Sequence, residues 1–112
     1  DMQVSVTSCE TWEEVLALVE RDGDLFDFRN TSTAVHRVAK YGQEQSQLVR
    51  EHPVFPQLLL FLRAKIKDLS GRSLSDAAWG LAKLQCRDER LFSLLAARAL
   101  SIMSELDPQG LG

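Results

Sequence analysis

The sequence has little cysteine, no long apolar run and no familiar catalytic motif. Two cysteines in 112 residues do not make a disulfide scaffold. The longest unbroken aliphatic or aromatic run, Leu58 to Leu62, falls far short of the roughly 20 residues that a membrane helix requires, so no membrane insertion is expected. There is no phosphate-cradling glycine loop and no dinucleotide fingerprint. Gly71-Arg-Ser-Leu-Ser75 lacks the last glycine of a nucleophile elbow and lies between helices rather than after a strand. Cys9, Cys86, His36 and His52 lack zinc-site spacing, and no metal or other cofactor is expected. Cys86 reads as a small space-filler in a tight loop. With no catalytic constellation and no small-molecule substrate implied, the expectation is a protein that is not an enzyme.

What is present is enough for one small domain. Apolar residues make up 45% and charged residues 26%, ordinary proportions for a folded chain. The net charge of −3 hides an asymmetry. Residues 1–29 carry eight acids against two basic groups, whereas residues 30–112 carry eleven Lys/Arg against eight Asp/Glu. An acidic head thus precedes a mildly basic body. The carboxylates of residues 10–27 read as a solvated surface or as a contact to a basic protein. The chain opens at Asp1 with nothing that resembles a leader, and the expectation is a processed or trimmed chain.

Almost every strong pattern is helical. Strand-like alternation occurs only at Met2 to Thr7, a stretch that reads equally as a tail. One helix is expected in the head, from about Cys9 to Arg21, with Thr11 as N-cap, Glu13 and Glu14 favouring the dipole, and Val15, Leu16, Leu18 and Val19 as its stripe. A second is expected over Thr31 to Tyr41, capped by Asn30 or Thr31 and stopped by Gly42. A polar linker of about ten residues follows. A third helix runs from Pro53 to about Leu69, with Gly71 ending it. A fourth runs from Leu74 to Leu84 with Ser73 as cap, and a fifth from Asp88 to Glu105.

The chain also repeats itself. Ser32-Thr-Ala-Val-His-Arg-Val-Ala-Lys-Tyr41 aligns with Ser75-Asp-Ala-Ala-Trp-Gly-Leu-Ala-Lys-Leu84 at an offset of 43 residues. Each segment is followed by a longer helix. Leu69-Ser-Gly-Arg-Ser-Leu74 recurs as Leu106-Asp-Pro-Gln-Gly-Leu111 at an offset of 37. Helix pairs repeating at such a period indicate an all-α fold, an α-solenoid of antiparallel helix pairs. The expected organisation is an acidic head over 1–29, repeats at about 30–69 and 73–105, and a third repeat beginning at 106.

Leu74-Ser-Asp-Ala-Ala-Trp-Gly-Leu-Ala-Lys-Leu84 resembles the first helix of the octotricopeptide and heptatricopeptide families, organellar helical repeats often found upstream of a RAP domain. Residues Thr31 to Gly42 resemble the variant that opens such arrays. Asp88-Glu-Arg-Leu-Phe92 resembles the start of the paired second helix. The resemblance covers roughly residues 30–112. It implies RNA binding, to rRNA or a transcript, within a mitochondrial or alternatively a chloroplast ribonucleoprotein such as an organellar ribosome, beside neighbouring proteins of a large complex. The alternative is a protein–protein scaffold without RNA contact. No RAP domain is visible.

Helical-wheel geometry supplies candidate residues. Ala34, Val35, Val38, Ala39 and Tyr41 share one face of the second helix; Thr33, Arg37 and Lys40 lie opposite. On the fourth, Ala77, Ala78, Leu81, Ala82 and Leu84 face inward; Asp76, Gly80 and Lys83 take the outward positions. If equivalent helices stack side by side, Arg37, Lys40 and Lys83 share a surface suited to phosphates, with Thr33 and Asp76 offering polar groups to bases. The same residues also read as ordinary solvated faces. Arg63, Lys65, Lys67 and Arg72 form a second basic cluster, which reads either as a phosphate contact or as cations favouring a helix C-terminus. His36 and Trp79 occupy equivalent places, suited to packing between repeats or to base stacking.

Overall fold

The computed structural model describes residues 1–106. It is all-helical, with no strand among the described residues. The recurrence over 106–111 and the third repeat expected from 106 lie outside the described part except for Leu106 itself, which is the last residue of a helix.

The first element differs from the expectation. Met2–Ser8 is a helix, α1, not an extended segment, so the acidic head holds two helices rather than one. Asp1 caps it by accepting from the Val4 amide at 2.9 Å, and Val6 is fully buried. α2, Trp12–Asp22, is capped by Thr11 as expected, and its apolar stripe is buried. A 3₁₀ turn, Gly23–Leu25, leads on to α3, Phe28–Gly42.

α3 starts earlier than expected because Asp27, not Asn30 or Thr31, is the N-cap. Its carboxylate accepts from the Asn30 amide, and the Asn30 side chain accepts in return from the Asp27 amide. α6, Gly71–Lys83, begins in the same way. Ser70 is the cap and Ser73 its reciprocal partner, so Gly71 opens this helix rather than closing the previous one. The two boxes sit at the same 43-residue offset as the aligned segments. The expected polar linker is ordered as a 3₁₀ turn, Gln43–Gln45, followed by α4, Ser46–Glu51, which buries Val49. α5, Phe55–Lys65, buries Phe55, Leu58 and Leu62, and a 3₁₀ turn, Ile66–Asp68, extends it. α7 spans Glu89–Leu106, with Asp88 accepting from the Leu91 amide at 3.0 Å.

α3 is the hub. α1, α2, α4, α5 and α6 all pack on it, with α6 the most extensive neighbour, and α6 in turn packs on α7. One continuous apolar core runs from Val6 through Leu16, Val35, Leu58 and Leu81 to Leu95. Trp12 covers it from the head, its indole N–H donating to Gln45 Oε1 at 2.9 Å. The α3–α6 crossing is tight at one point. Gly80, expected on the outward face, is buried there. A Cβ on Gly80 would lie 2.9 Å from the Val35 carbonyl oxygen, so only glycine permits this approach. Ala82, expected inside, is exposed. α6 ends in a Schellman-type turn, with the Cys86 amide donating to the Leu81 carbonyl at 3.0 Å. Gln85 occupies its left-handed position at φ 57°, where glycine is usual.

Candidate nucleic-acid interface

α3 and α6 start with equivalent capping boxes and pack against each other, and a groove of about 630 Å³ opens beside them, walled at one edge by α1. That volume lies within the usual range of ligand clefts. Arg29, Arg37 and Lys40 reach it from α3 and Arg72 from α6, with Asp76 the one carboxylate among the lining residues. The groove therefore carries four cationic side chains against one acid, in a chain whose net charge is −3. Much of the opposing charge lies on α2 and the turn after it, where Glu13, Glu14, Glu20 and Asp24 are exposed.

Four of the five primary candidates converge here: Thr33, Arg37, Lys40 and Asp76 all line the groove, whereas Lys83 does not. Lys83 lies against Trp79 instead, its Nζ 5.8 Å from the ring centroid. The secondary basic cluster is divided. Arg72 joins the groove. Arg63 is tied to Asp88 at 3.3 Å, and its Nε is buried without a partner among the described residues. This guanidinium links the end of α5 to the cap of α7. Lys67 is exposed and Lys65 half-buried, both outside the groove.

Within the groove the side chains are held. Arg37 Nη1 donates to the Tyr41 hydroxyl at 2.8 Å, and the Lys40 ammonium lies 5.7 Å from the Tyr41 ring centroid. Both contacts order a cation that would otherwise sweep through solvent. Gln3 of α1 donates to Thr33 Oγ1 at 3.0 Å and accepts from the Asn30 side-chain amide nitrogen at 2.8 Å. The Thr33 hydroxyl keeps its own proton to donate. Asp76, half-buried, has no ion-pair or hydrogen-bond partner among the described residues. His36 stacks on Trp79 with centroids 4.7 Å apart. This is the packing role between equivalent helices, although Trp79 remains 38% exposed. A smaller depression of about 320 Å³ shares Lys40 and runs beside Tyr41 and Gln43 to Gln45.

Gln3 and Arg29 are among the groove residues that the sequence pattern did not single out. Arg29 was legible: it stands at the 43-residue offset from Arg72, three residues before the aligned segments begin. Gln3 had no such signal, because its place depends on α1 folding against α3. Neither cysteine is primed as a nucleophile. Burial pushes the Cys9 and Cys86 thiols above their ordinary value, and a thiol so raised stays protonated near neutral pH.

Compared with family models, with curated proteins and with solved structures, the chain matches none.

Proposed function

We propose that this chain is a non-catalytic RNA-binding module whose α3–α6 groove holds a single-stranded phosphate backbone. One observation carries the reading: four cations from two equivalent helices converge on one groove of a chain that is otherwise acidic. Along α3, Arg29, Arg37 and Lys40 extend over about 16 Å at 1.5 Å per residue. Such a row suits a linear polyanion better than a compact anion. Thr33, Gln3 and His36 add polar groups between the cations.

In this reading the two helix pairs, α3 with α5 and α6 with α7, are neighbouring units of an α-solenoid of the octotricopeptide/heptatricopeptide type. The shared capping boxes and the side-by-side packing of α3 and α6 support that assignment. The resemblance then points to an organellar ribonucleoprotein, mitochondrial or alternatively chloroplast, with rRNA or a transcript as the bound strand.

The test is a salt series of binding to a short labelled single-stranded RNA. Wild type is compared with Arg29→Gln/Lys40→Gln/Arg72→Gln, and with Lys67→Gln/Lys83→Gln outside the groove. Each phosphate contact contributes roughly 0.7 to the slope of log K against log salt for single strands, so the groove triple lowers the slope by about 2. The outer pair leaves it nearly unchanged. A scaffold without RNA contact is the second reading, favoured by the exposure of Leu100 and Met103 on α7 at 68% and 54%. A folded chain that binds no RNA even at low salt would decide for it.

A further inference from the structure

We infer that Asp76 makes the groove selective for ribose over deoxyribose by accepting a hydrogen bond from a 2′-hydroxyl; the inference rests on the RNA reading above.

Asp76 is a carboxylate in the wrong company. It lies among Arg29, Arg37, Lys40 and Arg72 and yet pairs with none of them. It offers no attraction to phosphate and repels it through Coulomb's law. A surface built for phosphate alone is better with any neutral residue there, and the equivalent position on α3 holds one, Thr33. The two positions differ in what they can exchange. Thr33 already accepts from Gln3 and has a proton left to give, which suits a phosphate oxygen. An ionised Asp76 can only accept, so its partner in the ligand must be a donor.

The position decides which donor. On α6, Asp76 stands one helical turn beyond Arg72, and the cations of α3 line the same groove. A strand whose phosphates engage those cations places its sugars between them, because each ribose joins two successive phosphates. The donor a ribose carries, and a deoxyribose lacks, is the 2′-hydroxyl. That group is also what lets a protein distinguish RNA from DNA at a given site. Amino and ring N–H groups on bases are donors too, but they project away from the backbone that the cations hold.

The experiment uses the full chain, short labelled oligo(U), oligo(dU) and 2′-O-methyl oligo(U), and fluorescence anisotropy at low salt. All three carry the same base, uracil with its N3–H donor, so the sugar is the variable. Wild type is expected to bind oligo(U) about tenfold more tightly than either of the others, the size of one hydrogen bond to a charged group. Asp76→Ala brings the three affinities together, with oligo(dU) binding equal to wild type or tighter because a like charge is gone. Asp76→Asn, which keeps an acceptor, retains part of the preference. A ribose preference that persists in Asp76→Ala overturns the inference while leaving RNA binding in place. It is overturned equally if Asp76→Ala weakens all three oligonucleotides alike, which assigns the carboxylate to a donor they share, the uracil N3–H. No binding of any oligonucleotide by a chain of native helicity overturns the RNA reading, and this inference with it.

Discussion

α3 and α7 are the two longest helices, and they are buried in inverse order to what their compositions suggest. α3 carries threonine, serine, asparagine and arginine, yet Asn30, Thr31 and Ser32 are buried along with Ala34, Val35, Val38 and Ala39. α7 is the more apolar helix, and Leu100, Met103 and Leu94 on it are exposed. The difference is the number of partners. Five helices pack around α3, whereas α7 packs on α6 and on the 3₁₀ turn Ile66–Asp68. Burial is conferred by neighbours, and buried polar groups are tolerated where bonds satisfy them. Thr31 donates to the Asp27 carbonyl at 2.8 Å and Ser32 to the Arg29 carbonyl at 3.2 Å.

The contrast is broken most directly by making one chemical change in both environments. Leu81, fully buried on α6, loses about 2–5 kcal/mol of stability on Leu81→Ala, whereas Leu100→Ala on α7 costs less than about 0.5 kcal/mol. Urea unfolding followed by circular dichroism measures both. Equal losses would mean that α7 is covered in solution. A smaller effect probes the α3–α6 contact itself. Gly80→Ala costs about 1–3 kcal/mol, because the new methyl meets the Val35 backbone, which cannot move aside as a side chain can. On an uncrowded helix the same change would stabilise. A further effect has the opposite sign. Gln85→Gly relieves a left-handed residue at the end of α6 and raises stability by about 1 kcal/mol, read as a higher urea midpoint with an unchanged slope.

Much of this helical framework was legible because its signals are local. Thr11 caps α2 where expected, and the stripe of Val15, Leu16, Leu18 and Val19 is inside. The misplaced starts of α3 and α6 share one cause. Asn30 and Ser73 are residue types that favour the cap, but each is the third helical residue of a box whose cap lies three positions earlier. The usual glutamate or glutamine of that motif is absent from both, so the box is recognised only once its two bonds are seen. α1 is illegible for another reason. Alternation over six residues is too short to separate strand from helix. The decision comes from Val6 meeting the core and Gln3 meeting Asn30 and Thr33.

The candidate site divides in the same way. Thr33, Arg37 and Lys40 share a face because 3.6 residues make a turn, and Asp76 occupies the matching face of α6 because the sequence repeats. Lys83 and Arg63 carry the same charge as the groove residues, but Lys83 rests against Trp79 and Arg63 against Asp88. No periodicity could have separated them from Arg72, which joins the groove.

By itself, then, the sequence determined the helical class, the cap of α2 and the faces on which the candidate cations lie, all consequences of bonds and spacings within a single helix. The tertiary structure alone decided that α1 is a helix, that Gly80 lets α3 and α6 approach, and which cations share a groove with Asp76. Those outcomes depend on distances between segments far apart in the chain, and such distances are set only when the whole core packs at once.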